Sequence, residues 1–172
     1  YRIISDSKVW NANQWYHFAG VIDPIRGMSM FIDGVKQSDS SILTFPISAV
    51  FNSTTLGGTP SFPNRFFNGK MDDIRISTSA EYSNNFTPSC PDMKPTASTV
   101  GLWNFNDIAN STSAVDSSLN AYNATIYGAG KQLEEVCRAV FTTNVIKFDG
   151  IDDYVDLGDS SVNGARTLEL WF

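Results

Sequence analysis

Acid–base chemistry in this chain would have to come from carboxylates, because it holds one histidine, His17, and four glutamates, Glu81, Glu134, Glu135 and Glu169. Glycoside hydrolysis needs two carboxyl groups facing one another across the substrate, one as acid and one as base or nucleophile. A Glu-x-Asp-x-x-Glu spacing would set at least its first two carboxylates on one face of a strand, and the sequence has none. A Ser-His-Asp or Cys-His relay would have to use His17, which stands in the apolar run Trp15-Tyr16-His17-Phe18-Ala19 and is expected to be a hydrogen-bonded structural residue. Gly128-Ala129-Gly130 lacks the strand-loop-helix setting of a phosphate loop and reads as a turn. No catalytic residue is expected, and the chain reads as a non-enzyme.

The more informative carboxylate is Asp72. Strand alternation in Met71–Ile76 predicts that Asp72 shares a side with Ile74 and Ile76, towards the core, while Asp73 and Arg75 share the other. A buried carboxylate without a partner costs several kcal/mol, so a cation, an arginine or several N–H donors should meet it. A second acidic run, Asp149, Asp152, Asp153, Asp156 and Asp159, alternates with Ile151, Tyr154, Val155 and Leu157. It can be read as a metal loop, but it fits solvated edge residues that discourage sheet aggregation at least as well.

The elements that must position these groups are strands. Trp15–Asp23, Met28–Ile32 and Val35–Gln37 are separated by turn residues, and Asp33-Gly34 between two apolar runs is the signature of a type I′ hairpin. Short runs follow at Phe66–Phe67, Met71–Ile76, Val100–Phe105, Ala124–Tyr127, Val145–Phe148, Tyr154–Leu157 and Thr167–Phe172. Only Lys131–Val140 has a helical look, with a loop ending in extended chain as the other reading. The expectation is an all-β chain built as an antiparallel β-sandwich or jelly roll.

With 42% hydrophobic and 13% aromatic residues the 172-residue chain can bury one substantial core. Its net charge of -6, without any basic run, argues against nucleic acid and anionic membranes as partners. No apolar stretch approaches the roughly 20 residues of a membrane span. Cys90 and Cys137 stand far apart, either as one disulfide or as two buried thiols. Sequons begin at Asn52, Asn85, Asn110 and Asn123 and permit a secreted protein.

Several segments then carry a family resemblance: Trp15-x-His17-Phe18-Ala19, Phe31-Ile32-Asp33-Gly34, Leu56-Gly57-Gly58, Phe67-Asn68-Gly69-Lys70-Met71-Asp72-Asp73-Ile74-Arg75-Ile76 and Phe148-Asp149-Gly150-x-Asp152-Asp153-Tyr154-Val155. Together they resemble the laminin G-like, concanavalin A-like jelly-roll family over most of the chain. Their order departs from that family, in which Gly101–Phe105, Asp116–Asn120 and Phe148–Gly150 would come first. Residues 1–88 resemble the C-terminal part of such a domain, 89–98 a linker, and 99–172 the N-terminal part of another. Both termini read as strand. The chain is therefore expected to be a circular permutant or a window across two tandem repeats, its halves completing one sandwich. An open strand edge near the termini would suit self-association.

The resemblance implies a non-catalytic extracellular or surface recognition module for a carbohydrate or protein ligand. It also implies calcium at a rim site, for which Asp72, Asp107 and Asp149 are the candidate ligands. A structural repeat of a filament, coat or adhesin is the alternative, and a jelly-roll glycoside hydrolase is disfavoured. Trp15, Trp103 and Trp171 lie in apolar strands and are expected in the core. The loop aromatics Trp10, Phe62, Tyr122 and Tyr127 are the expected ligand contacts.

Overall fold

The computed structural model describes residues 3–6, 10–39, 54–59, 61–62, 65–90, 92–107, 111–136, 142–158 and 164–172. Cys137, Asp159, Asn52 and Asn110 lie outside the described residues. Within them the chain forms strands β1 (His17–Asp23), β2 (Gly27–Ile32), β3 (Val35–Lys36), β4 (Thr55–Leu56), β5 (Asn68–Ser77) and β6 (Thr99–Trp103). They continue as β7 (Ser113–Ala114), β8 (Ala124–Tyr127), β9 (Gly130–Glu135), β10 (Thr142–Asp149), β11 (Tyr154–Asp156) and β12 (Thr167–Trp171). Two antiparallel sheets result. The larger runs β3-β2-β1-β12-β5-β10-β9, with β6 also on β5, and the smaller runs β4-β11-β8-β7.

The expected helix at Lys131–Val140 is a strand over its described first part. β9 pairs with β10 from Gly130↔Lys147 to Glu135↔Thr142. The reason is tertiary: the Lys131 side chain is buried and its Nζ reaches Asp107 Oδ1 at 2.5 Å and the Ser113 carbonyl at 2.8 Å. The Asp33-Gly34 turn has the positive φ at both residues that type I′ geometry requires, 49° and 75°. A Cβ on Gly34 would stand 1.9 Å from the Phe86 carbonyl oxygen, so this position admits only glycine.

The sandwich core lies between the sheets. Ile74, Ile76, Trp103, Ile146, Phe148 and Leu170 of the larger sheet meet Ala114, Ala124, Ile126 and Val155 of the smaller, with Phe105 and Leu157 between them. Each large apolar side chain removed from water here contributes about 1.5–3 kcal/mol. β12 lies between β1 and β5, so strands from residues 1–88 and 99–172 alternate within one sheet. Of the open edge expected near the termini, the last strand supplies none, because both sides of β12 carry ladder bonds, and residues 1–2 lie outside the described residues.

The other face of the larger sheet is covered too. Ala80, Tyr82 and Phe86 pack on Ala19, Val21 and Phe31, and Cys90 joins Trp15 against Val136, Val145 and Trp171. Trp171 Nε1 donates to the Ser89 carbonyl at 3.2 Å. Residues 80–90 are thereby held along this face, and Cys90 is disulfide-bonded.

A buried polar network fastens that cover. Arg75 Nε donates to Glu169 Oε1 at 2.6 Å, Tyr82 Oη donates to Glu169 Oε2 at 2.7 Å, and Arg75 Nη1 donates to the Lys94 carbonyl at 2.8 Å. His17 is fully buried with Nε2 3.4 Å from Glu169 Oε2, a contact without hydrogen-bond alignment, so the expected hydrogen-bonded ring is not found. Burial works against the Glu169 carboxylate, yet His17, Arg75 and Tyr82 outweigh it and hold its pKa below the ordinary value. Removing the cation strands a buried charge. Arg75→Met should cost about 3–5 kcal/mol in urea unfolding, and a loss under about 1 kcal/mol would show that the network does not hold the fold.

Candidate functional site

β5 does not alternate as its sequence suggests. Glu169 opposes Arg75 whereas Trp171 opposes Asp72, so β5 carries one extra residue in this stretch, and Asp73 there has φ of 51°. Directly opposed residues share a face, which puts Asp72 beside Trp171 and on the side of Arg75. The predicted placement of Asp72 with Ile74 and Ile76 is corrected accordingly. It is Met71, opposite Ile146, that shares their core side.

Both carboxylates are buried, Asp72 at 2% and Asp73 at 1% exposure. Asp73 accepts from the Met93 backbone N–H at 3.0 Å and from the Asn104 amide, which also reaches the Met93 carbonyl at 3.3 Å. Asp72 accepts from the Asp73 N–H at 2.9 Å, and among the described residues no Lys or Arg pairs with it. Burial, followed by the neighbouring Asp73 charge, pushes the Asp72 carboxyl up to about 9. Burial raises Asp73 as well, opposed by its hydrogen bonds from Met93 and Asn104. Two carboxylates, a carbonyl and an amide thus converge where β5, residues 92–93 and the end of β6 meet.

The expected ligand set is not brought together. Asp107 is ion-paired with Lys131 and accepts from the Val115 N–H at 3.1 Å. Asp149 instead joins Asp152 and Asp153, whose carboxylate oxygens lie within 4.8 Å of one another. Asp153 is buried rather than solvated, accepting from the Asp149 N–H at 2.6 Å, and burial raises its pKa. Tight local hydrogen bonds account for this turn.

A cleft of about 380 Å³ opens at the rim, between the loop before β1, the start of β5, β9 and the residue after β12. Trp10 is 40% exposed in its wall. Tyr16 meets it edge-on at 4.9 Å and Phe172 lies tilted at 5.6 Å, so neither ring stacks flat on the indole. The loop is braced by Asn11 N–H to Tyr16 Oη at 3.1 Å and Asn11 Nδ2 to Gln14 Oε1 at 3.1 Å. Across the cleft Lys70 Nζ meets Glu134 Oε2 at 2.5 Å, and this pairing holds the Glu134 carboxyl below its ordinary range.

Of the expected ligand contacts, the structure puts Trp10 in this cleft and the others elsewhere. Tyr122 packs on the core, its N–H bonded to Asp116 Oδ2 at 2.8 Å and its carbonyl to Trp103 Nε1 at 3.0 Å. Tyr127 stacks on Tyr154 at 4.6 Å, and Phe62 lies under the Arg65 guanidinium at 5.4 Å. The cleft residues Asn68, Lys70, Glu134 and Phe172 escape sequence reasoning, because no local pattern announces which separated strands meet at a rim.

Residues 1–83 match the Laminin_G_3 model of the concanavalin A-like lectin/glucanases superfamily. No curated protein and no solved structure matches the chain. The Asp72 carboxyl, buried without a Lys or Arg partner among the described residues, yields a test independent of any ligand. In chelator at neutral pH, Asp72→Asn should raise stability by about 1–3 kcal/mol in denaturant unfolding; a loss of that size would show that the carboxylate is satisfied without a cation.

Proposed function

We propose that the chain, whose residues 1–83 match a concanavalin A-like lectin/glucanases superfamily model, acts as a non-catalytic, extracellular or surface recognition module whose ligand seats in the Trp10 cleft. The observation that carries this reading is the composition of the cleft wall: an exposed indole, several amides, and Glu134 as the one carboxylate among the lining residues, itself paired with Lys70. Hydrolysis of a glycosidic bond by the usual route takes two carboxyl groups on either side of it. The other three glutamates are engaged or elsewhere: Glu81 with Ser79 and Ser98, Glu169 in the buried network, and Glu135 on β9 outside the cleft lining. Binding by complementary surface is what remains for such a wall.

Calcium has a place in the same reading. Asp72, Asp73 and the Met93 carbonyl offer hard oxygen ligands of the kind this ion takes, the Asn104 amide would have to turn its oxygen inward in place of the Nδ2 that donates to Asp73, and a divalent charge would offset the mutual repulsion of the two carboxylates. Bound there, calcium would tie β5 to β6 and to residues 92–93. Its role would be structural.

Two measurements test the proposal. Trp10→Ala, which loses its contacts with Tyr16 and Phe172, should lower the melting temperature by only a few degrees while abolishing ligand capture on a glycan and extracellular-protein array; unchanged capture would move the site elsewhere. Calcium should raise the melting temperature of the chelated protein by several degrees, and Asp73→Asn should remove that response. No shift on adding calcium would eliminate the ion from the reading.

A further inference from the structure

We propose that the Trp10 cleft selects an uncharged pyranose, reading two neighbouring hydroxyl groups with the Lys70–Glu134 pair; this rests on the recognition reading above. The size of the cleft sets the first limit. At about 380 Å³ it stands near the lower end of ligand sites, which run from about 300 to 1,000 Å³. It suits one or two sugar rings and not a folded peptide segment.

Charge sets the second limit. The lining contains one cation and one anion, and these neutralise one another across 2.5 Å. Among the described residues of the wall an anionic sugar would find no unpaired cation, and it would approach a chain of net charge -6. A cationic ligand would have to compete with Lys70 for Glu134.

Hydrogen-bonding capacity sets the third. Glu134 Oε2 takes both Lys70 Nζ and Gln132 Nε2, the latter at 3.0 Å, and its Oε1 has no partner among the described residues. Lys70 Nζ carries three donors and spends one on Glu134. The two side chains are 34% and 30% exposed, so both face incoming solvent. An acceptor and a donor locked side by side match vicinal hydroxyls, each of which both gives and accepts a proton. The side-chain amides of Asn13 and Asn68 also line the cleft without a bond to any described residue, leaving further donors and acceptors for ring hydroxyls.

The aromatic wall completes the fit. A pyranose has an apolar C–H face and a polar rim, and it pairs its apolar face with an indole that no neighbouring ring covers in parallel. Trp10 is braced by Tyr16 and Phe172, so little is lost in ordering it on binding.

The test is a titration of the isotopically labelled chain, followed by amide chemical shifts. The neutral probes are the methyl pyranosides of glucose, galactose, mannose, xylose and N-acetylglucosamine. The charged probes are sialyllactose and a heparin tetrasaccharide. At least one neutral pyranoside should shift residues 10–16, 67–70 and 134, and the charged sugars should bind at least about tenfold more weakly. Glu134→Gln and Lys70→Met should each weaken the neutral sugar about tenfold, with Trp10→Phe retaining more affinity than Trp10→Ala. Tighter binding of either charged sugar at the same residues would overturn the uncharged-pyranose assignment while leaving recognition in the cleft standing. If no probe moves those residues but a protein ligand does, the sugar assignment fails and recognition survives. If neither does, both fail.

Discussion

One extra residue in β5 governs much of the molecule. Without the bulge at Asp73, Met71 and Ile74 would point to opposite sides of the sheet, and the strand would surrender apolar contacts at one of them. The bulge lets both face the sandwich core, where Met71 meets the cluster that contains Ile146 and Ile74. The same local twist turns Asp72 to the side of Arg75 and brings two carboxylates next to one another in a buried position. Packing on one face and a crowded pair of buried carboxyl groups on the other are therefore two results of a single backbone irregularity. Aspartate suits that position because it tolerates the left-handed conformation better than branched or bulky residues do.

β5 is also the strand on which the rest of the larger sheet is assembled. It pairs with β10 through Asn68–Met71, with β6 through Ile74–Ser77 and with β12 along Asp72–Ser77. Its first residues form one wall of the rim cleft and its middle carries the acidic pair. The Arg75–Glu169 contact crosses from β5 to β12 and reaches Tyr82 and Lys94, so the ladder and the covering segment share one polar centre. A charge held there by several partners specifies which segment lies on the sheet.

Much of this was legible beforehand. The apolar alternation of β1, β2, β8 and β10 and the Asp33-Gly34 turn marked strands and hairpin correctly, because each is decided within a few residues. The two-residue strands β4 and β7 left no such pattern. Lys131–Val140 misled because a buried lysine looks like a solvated helix face until Asp107, far away in sequence, supplies its partner. Asp72 misled because period-two reasoning has no way to anticipate a bulge. Trp10, Tyr122 and Tyr127 looked alike as loop aromatics; the structure separates them, with Tyr122 packed on the core, Tyr127 exposed at the end of β8 and stacked on Tyr154, and Trp10 in the wall of the rim cleft.

The segment carrying Tyr82, Phe86 and Cys90 covers the larger sheet on the side away from the sandwich core. A sheet covered on both surfaces leaves the side chains of its middle answerable to packing, and Lys70 and Glu134 face the cleft only because they stand at the rim. The loop before β1 has no such obligation. New specificity can therefore arise by exchanging Asn11, Asn13 or Gln14 while every core residue stays as it is, which makes the rim of this molecule its adaptable part and the core its constant frame.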